Sequence, residues 1–295
     1  MGISVMNKLL AGGHEVVVWN KTKEVLNELK VSKSEYFLKE KLKIAFSVEG
    51  LHEKLLKPRT FWLTLSSKEE TGEILSEITN IAELGDLIID GGDSNFKDTQ
   101  ARFDALTPKG FKYLGIGISG VGGVESGFCV MAGGNKDGYE YLRPILDSLA
   151  LPNGVHNYFG AGGSGHFVKM VLGGVEQATA QALSEGFGIL EKSPYGLNLL
   201  DAGYVWQRGS DIRSVLLDAV VNVFKEDPGF VNTEGVVSAP TDVKLLIEQA
   251  KQEGAPVDAI GKTLDFAERS QYDKAAQTTF AAKLMAAMEK RLGTD

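Results

Sequence analysis

Short runs of consecutive apolar residues alternate with helical patterns through the first half of the chain. In the runs 15–19 and 87–90, all but one residue at the edge of each run are apolar. Continuous apolar strands between helices indicate a parallel sheet covered by helices on both faces. Strands are predicted at 15–19, 43–46, 60–65, 87–90, 111–115 and 128–132, and helices at 2–11, 68–81, 98–106 and 139–149.

The pattern changes near residue 160, after which strand signals nearly vanish. Apolar residues then recur with the helical period, which predicts helices at 166–190, 200–225, 243–253, 256–269 and 275–292. Three glycines fall within 160–163, and a flexible stretch of this kind suits a junction between domains. The sequence therefore predicts an α/β domain over 1–160, followed by an all-helical domain over 161–295.

Composition agrees with a two-domain globular protein. The chain has 295 residues, a length at which two domains are usual. A hydrophobic content of 43% and a charged content of 24% are ordinary for proteins with buried cores. The net charge of -8 argues against a nucleic-acid partner, because no basic stripe is available to release counterions. A phosphorylated small substrate remains compatible with this charge, since a few local cations suffice to bind it.

Cysteine and histidine usage argues against disulfide and metal chemistry. Cys129 is the single cysteine, and its place in the apolar run 128–131 predicts a buried core thiol. The four histidines show no metal-ligand spacing, so no metal is expected.

No stretch approaches the roughly 18 apolar residues of a membrane span, and no signal peptide opens the chain. We therefore expect a cytoplasmic protein without a membrane partner.

Gly2 is a candidate for the third glycine of a dinucleotide-binding fingerprint. That fingerprint needs a strand, then G-x-G-x-x-G, then a helix, and here only the helix and Gly2 are present. A Gly-Gly stop, a strand and a polar turn at Asn20 follow in the expected order. The sequence predicts a Rossmann-type domain that lacks its first, central strand, with a natural start roughly ten residues earlier. The alternative is that Met1 is the natural start and nucleotide affinity is poor.

The turn after the first predicted strand bears on the choice of cofactor. NAD is recognised by a carboxylate at this place, which would repel the 2′-phosphate of NADP. The turn consists of Asn20, Lys21 and Thr22, a cation between two hydrogen-bonding side chains. NADP is therefore favoured as the cofactor, with NAD as the alternative. The competing interpretation is an ordinary solvated turn in which Thr22 caps the next helix.

Several further motifs occur in order along nearly the whole chain. They are 162–176 (GGSGHFVKMVLGGVE), 90–94 (DGGDS), the Ser119-Gly120 loop, 127–134 (GFCVMAGG), 209–214 (GSDIRS) and the tail around 270–272 and 279–284. Together these motifs resemble the short form of the 6-phosphogluconate dehydrogenase family. One such motif would be weak evidence, whereas several in register indicate common ancestry.

The resemblance implies oxidative decarboxylation of a phosphorylated sugar acid, 6-phosphogluconate, to ribulose 5-phosphate and CO2 with reduction of NADP. A base takes a hydroxyl proton in such a reaction, and an acid later protonates the enediol. By resemblance Lys169 is the base and Glu176 the acid, and their spacing places both on one helix face. The resemblance also implies that Ser119 and Gly120 bind the substrate carboxylate and hydroxyls. Arg213 would hold the phosphate, where a planar guanidinium suits bidentate recognition.

The candidate site departs from the family pattern at several positions. Asp93 stands where the family has an asparagine beside the nicotinamide, so a negative charge enters a cofactor contact. Leu172 and Gly173 replace a histidine and an asparagine that contact the substrate in the family. Further departures are Val121 in the serine-glycine loop, Gln177 for a tyrosine, 240–246 for a Gly-x-Gly-x-Trp-Thr stretch, and Glu289 and Asp295 for a C-terminal arginine and histidine.

Three functions are compatible with this sequence. The first is the decarboxylating dehydrogenase itself, the second a related 3-hydroxyacid dehydrogenase, and the third a catalytically impaired paralogue that keeps the fold. The resemblance also implies a homodimer. Phe280, Leu284 and Met288 form an apolar stripe that suits helix packing, either against a partner subunit or within the domain's own core.

Overall fold

The computed structural model describes residues 1–65, 67–120, 127–231 and 233–293. The chain forms two compact units, Met1–Lys169 and Met170–Asp295. The described part of the second unit is helical, whereas the first unit contains the strands. None of the helices in the described ranges is both long and apolar enough to cross a membrane.

Strands and helices alternate in the first unit as the hydrophobic pattern predicts. The strands are β1 (Val16–Val18), β2 (Leu42–Ile44), β3 (Thr60–Leu63), β4 (Leu87–Asp90), β5 (Lys112–Ser119), β6 (Cys129–Gly134) and β7 (His156–Tyr158). The helices are α1 (Gly2–Ala11), α2 (Lys23–Ser32), α3 (Ser34–Leu38), α4 (Val48–Lys54), α5 (Lys68–Ile81), α6 (Phe96–Leu106) and α7 (Lys136–Ala150). Helix α8 (Ser164–Glu191) begins in this unit and continues into the second.

Strands β3 to β7 form a five-stranded sheet in sequence order. Its helices cover both faces, because Leu87 and Ile89 of β4 pack in one core cluster and Ile88 packs in another. The prediction of an entirely parallel sheet is wrong at one place, since β5 and β6 pair antiparallel. Residues 120–128 are too few for the crossover that parallel neighbours require. The chain therefore reverses direction between these two strands.

Strands β1 and β2 form a separate, parallel two-stranded sheet. Helix α1 packs against both sheets: Val5 belongs to the core of the larger sheet, and Met6 and Leu10 pack with Leu42 of the smaller one. No hydrogen-bonded ladder joins the two sheets in the described part of the chain.

Cys129 is exposed, so the prediction of a buried core thiol is wrong. It is the first residue of β6, and the strand becomes buried only from Val130 onward. An apolar run on both sides of a residue does not bury it when that residue lies at the end of a strand.

The second unit continues α8 and adds a set of shorter helices. These are α9 (Leu199–Gly209), α10 (Val215–Glu226), α11 (Thr241–Glu253), α12 (Asp258–Ser270), α13 (Lys274–Gln277) and α14 (Phe280–Leu292). The prediction of one helix over 200–225 is wrong, because α9 ends at Gly209 and α10 begins after Ser214. The hydroxyl of Ser210 bonds back to the carbonyl of Trp206, and that of Ser214 caps α10 by accepting from Leu217 N.

Phe187, Leu217 and Val220 are fully buried in the core of this unit. Leu284 and Met288 lie in the same cluster, and Phe280 packs against it. The apolar stripe of α14 therefore closes the unit's own core, as one of the two sequence interpretations holds.

Candidate functional site

The loop that follows β4 is anchored by the buried carboxylate of Asp90. Asp90 is 1% exposed and accepts hydrogen bonds from Arg102 Nη1 at 2.7 Å, Ser94 Oγ at 2.9 Å and Tyr113 Oη at 3.0 Å. The guanidinium also neutralises the carboxylate, which a buried charge requires. Burial, reinforced by the negative charge of Asp90, raises the pKa of Tyr113 above its usual range, so the phenol remains a donor. The loop 91–94 is thus held to the sheet on its inner side.

Helix α8 begins unusually close to strands β5 and β6. A Cβ on Gly165 would lie 2.5 Å from Gly115 O and 2.7 Å from Gly133 N, and one on Gly117 would lie 2.6 Å from Lys169 Cβ. Contacts this short are open only to glycine, because any side chain would collide with backbone or with the helix. Gly115, Gly117 and Gly133 were not predicted as site residues. Their signal is present in β5 as glycines at alternate positions and in β6 as the small residues 132–134.

His166 locks the first turn of α8 to α6. The hydroxyl of Thr99 forms a hydrogen bond with Nδ1 of His166 at 2.8 Å and lies 3.2 Å from Asn95 O. Burial lowers the pKa of His166, the positive charge of Lys169 adds to this, and Asp90 acts in the opposite direction. Nε2 is buried and has no hydrogen-bond partner among the described residues.

Lys169 lies one turn further along α8 and forms an ion pair with Asp93 of the β4 loop. The Lys169 side chain is 27% exposed and that of Asp93 67% exposed. Two of the site residues predicted from the sequence are thus in contact at the carboxyl end of β4. Ligands of open α/β sheets bind at this edge.

The other predicted substrate residues occupy exposed or terminal positions. Ser119 ends β5, and Gly120 follows it with φ of +129°, a conformation that favours glycine. Glu176 is exposed on α8, two turns beyond Lys169, and Arg213 is exposed in the turn between α9 and α10. No carboxylate in the described part of the chain forms an ion pair with Arg213. Val121 and Asp295, two of the departures from the family pattern, lie outside the described residues.

Two other departures bind the same backbone segment of the second unit. Gln177 Nε2 donates to Ser238 O at 2.7 Å, and Ser238 N donates to Glu289 Oε2 at 2.9 Å. Both side chains therefore stabilise the segment between α10 and α11. Gly173 faces open space, since a Cβ there would meet no atom within 4 Å.

The predicted cofactor residues lie at the start of α1, in the turn after β1 and in the loop after β4. Helix α1 begins at Gly2, whose Cβ position is 2.6 Å from Thr64 Oγ1 just after β3. Asn20 follows β1 and accepts from Thr22 N at 2.8 Å, in an exposed turn that contains Lys21 and no carboxylate. Thr22 is the N-cap of α2 but makes no side-chain capping bond, so the interpretation of Thr22 as a capping side chain is wrong.

These residues fit a dinucleotide. A helix N-terminus favours a pyrophosphate, and the exposed turn offers donors to a ribose. Asp93 lies in the glycine loop after β4, beside Lys169. Gly91 and Gly92 let this loop pack closely on the chain after β3, because a Cβ at either position would collide with Trp62 or with Leu65 O.

Comparison with known proteins shows which family has this arrangement. The family model for the NAD binding domain of 6-phosphogluconate dehydrogenase matches residues 1–160. An NAD(+)-dependent, decarboxylating 6-phosphogluconate dehydrogenase from Haloferax volcanii is 31% identical over 266 residues, covering 90% of this chain and 85% of that protein. The corresponding enzyme from Bacillus subtilis is 31% identical over 233 residues, and the match covers 48% of that longer protein.

Solved structures of dehydrogenases have a fold similar to that of this chain. Plasmodium falciparum 6-phosphogluconate dehydrogenase, studied with NADP+ and with 6-phosphogluconate, is 26% identical with a TM-score of 0.80. The match covers 92% of this chain and 60% of that one. A Mycobacterium tuberculosis 3-hydroxyisobutyrate dehydrogenase shares the fold, with a TM-score of 0.69, 18% identity and coverage of 96% and 94%. With an NAD(P)-binding domain followed by a helical unit, this chain belongs to the 6-phosphogluconate dehydrogenase family of oxidoreductases.

Proposed function

We propose that this protein oxidises and decarboxylates 6-phospho-D-gluconate to D-ribulose 5-phosphate and CO2, with NADP as the hydride acceptor. The observation that carries the proposal is the ion pair of Lys169 and Asp93, which holds an amine at the carboxyl end of β4. The relatives named for this reaction support the choice of substrate.

In the proposed mechanism each site residue either transfers a proton or binds a polar or anionic group of the substrate. Lys169, once its amine has lost its proton, accepts the proton of the C3 hydroxyl as the C3–H hydride leaves, and the nicotinamide, when bound, supplies the acceptor for that hydride. Loss of CO2 from the 3-keto acid leaves an enediolate, whose C3 oxygen takes the proton back from Lys169 to give the enediol. Glu176 then gives a proton to C1 of the product while Lys169 takes the hydroxyl proton, which forms the ketone. Ser119 and Gly120 bind the substrate carboxylate and hydroxyls, and the exposed guanidinium of Arg213 binds the phosphate.

NADP is proposed over NAD because of the turn after β1. Lys21 brings a cation there, and the neighbouring Asn20 and Thr22 add no negative charge. A 2′-phosphate is favoured by this charge, whereas NAD recognition relies on a carboxylate. The Haloferax volcanii relative is NAD(+)-dependent, so NAD is the alternative cofactor.

A second candidate function is a 3-hydroxyacid dehydrogenase with another substrate. The hydrogen bonds of Gln177 and Glu289 to Ser238 favour it, because these side chains are occupied by backbone groups rather than open to a phosphate. Lys169 would take the hydroxyl proton in the same way. A catalytically impaired paralogue is the third outcome of the experiment below.

A homodimer is proposed from one face of α8. Val175 and Ile189 are 50% and 73% exposed, and Ala182 between them is exposed as well. Their spacing of two helical turns forms an apolar stripe that suits packing against another helix. Light scattering after size-exclusion chromatography measures the mass of the particle, and a monomer would contradict this part of the proposal.

The function is tested by following NADPH formation from 6-phosphogluconate, with ribulose 5-phosphate and CO2 quantified. Lys169→Met is expected to lower kcat by about a thousandfold, because general-base catalysis is lost. Lys68→Met removes a comparable cation from an exposed ion pair and is expected to leave kcat unchanged. Turnover of a 3-hydroxyacid panel but not of 6-phosphogluconate would favour the second function, and no turnover at all would favour the paralogue.

A further inference from the structure

The carboxylate of Asp93 forms an ion pair with the amine of Lys169. If Asp93 only contacted the cofactor, this ion pair would be unexplained. We propose that Asp93 is a positioning residue: it holds the amine of Lys169 at the end of β4 and stabilises the ammonium that forms when the substrate proton is taken. The inference rests on the proposed function for the proton transfer, but the contact itself does not.

The loop that contains Asp93 is anchored by the hydrogen bonds of the residue that follows it. Asp93 is followed by Ser94, whose hydroxyl is bonded to the buried Asp90 at 2.9 Å and to Arg102 Nη1 at 3.2 Å. The loop therefore brings the carboxylate of Asp93 to one place, although the side chain itself is largely exposed.

The Cβ end of the Lys169 side chain is also fixed by its packing, whereas the amine end is not. Its Cβ lies over Gly117, and one turn earlier His166 binds Thr99. Beyond Cβ the lysine side chain is a flexible stem with many rotamers. In the described structure the contact with Asp93 selects the rotamer that directs Nζ to the strand edge.

Proton transfer changes the charge of this pair. The hydroxyl O–H bond breaks and an N–H bond forms on Nζ, so the neutral amine becomes an ammonium beside a carboxylate. The attraction is stronger in the transition state than with the neutral amine, and such an interaction raises kcat rather than lowering KM. Asp93 thus acts through Lys169 and not on the substrate.

The chain contains a matched ion pair for the test. Lys68 pairs with Asp98 at 2.6 Å, outside the proposed site. Asp93→Asn and Asp98→Asn are treated with an acetylating reagent at fixed pH, and acetylation of each lysine is measured by peptide mass spectrometry. Asp93→Asn is expected to speed labelling of Lys169 about two- to fivefold and to leave that of Lys68 unchanged. Asp98→Asn is expected to speed labelling of Lys68 by a similar factor and to leave that of Lys169 unchanged. An unchanged rate at Lys169 in Asp93→Asn would overturn the proposal.

Kinetics separate positioning from substrate binding. Asp93→Asn is expected to lower kcat about tenfold and change KM less than about twofold, whereas Asp93→Glu regains most of the loss and Asp98→Asn shows none. A raised KM with unchanged kcat would overturn the proposal. Labelling needs no turnover. If the wild-type protein is inactive but Lys169 is acetylated faster in Asp93→Asn than in the wild type, the contact is supported and only the proposed function is contradicted.

Discussion

The Cβ atom of Lys169 lies directly over Gly117 of β5, so closely that a Cβ on the glycine would stand 2.6 Å from it. The same glycine position would also meet Gly165 O at 3.0 Å. The depth at which α8 sits on the sheet, and with it the reach of the lysine amine, is therefore set by a missing side chain.

Gly117→Ala is expected to push α8 away from β5. Overpacking of this kind destabilises by about 1–3 kcal/mol, and displacement of Lys169 should lower kcat at least about tenfold. The matched control is Gly72→Ala in α5, where a Cβ would meet nothing within 4 Å. Replacing an exposed helical glycine by alanine is expected to stabilise by about 0.5–1 kcal/mol without affecting kcat. Urea unfolding and steady-state kinetics measure both, and equal behaviour of the two variants would contradict the close-approach argument.

Arg102→Met is expected to be strongly destabilising. It leaves the carboxylate of Asp90, 2% exposed, without its counter-ion in the core. Breaking one side of such a buried pair costs about 3–5 kcal/mol, whereas Lys68→Met at an exposed pair costs about 0–1 kcal/mol. Urea denaturation of the two variants gives the comparison. Similar losses would mean that Arg102 does not compensate Asp90.

Because His166 is buried, the free energy of unfolding is expected to fall as the pH is lowered. Burial lowers the pKa of His166 in the folded protein, with Asp90 and Asp93 opposing and Lys169 reinforcing the shift. The unfolded chain therefore binds this proton at higher pH, so the stabilisation is present above about pH 6.5 and is lost as the pH falls below it.

The variant that tests this is His166→Gln, whose amide can still form a hydrogen bond with Thr99 but cannot ionise near neutral pH. The free energy of unfolding is measured by urea denaturation at about pH 7.5 and about pH 5.5. The wild-type protein is expected to lose more stability over this interval than the variant. Equal losses would exclude His166 as the source of the pH dependence.

Lys21→Glu is expected to reverse the cofactor preference. The substitution replaces a cation by an anion in the exposed turn after β1, so a 2′-phosphate is repelled. The kcat/KM for NADP should fall about tenfold or more, and that for NAD should change less than about threefold. Lys39→Glu, at an exposed position outside the cofactor residues, is the charge-matched control. Parallel losses with both cofactors would show that Lys21 does not read the phosphate.

Local patterns along the chain predicted most of the secondary structure. The alternation of apolar runs and helical periods located β3, β4, α1, α5 and the long α8, because burial of a strand or of a helix face leaves its own period in the sequence. Strand β7 was missed, since His156, Asn157 and Tyr158 carry no apolar run. The break at Ser210–Ser214 was missed because the apolar period continues on both sides of it.

By itself the sequence determined the α/β unit followed by a helical one, the family resemblance and the residue types of the candidate site, all of which depend on patterns between near neighbours. Only the tertiary structure decided the reversed direction of β6, the exposure of Cys129, the hydrogen bond between His166 and Thr99 and the contact between Asp93 and Lys169. That pair is separated by 76 positions, and Gln177 and Ser238 by 61. Which donor meets which carboxylate depends on how distant segments pack, and no local period records it.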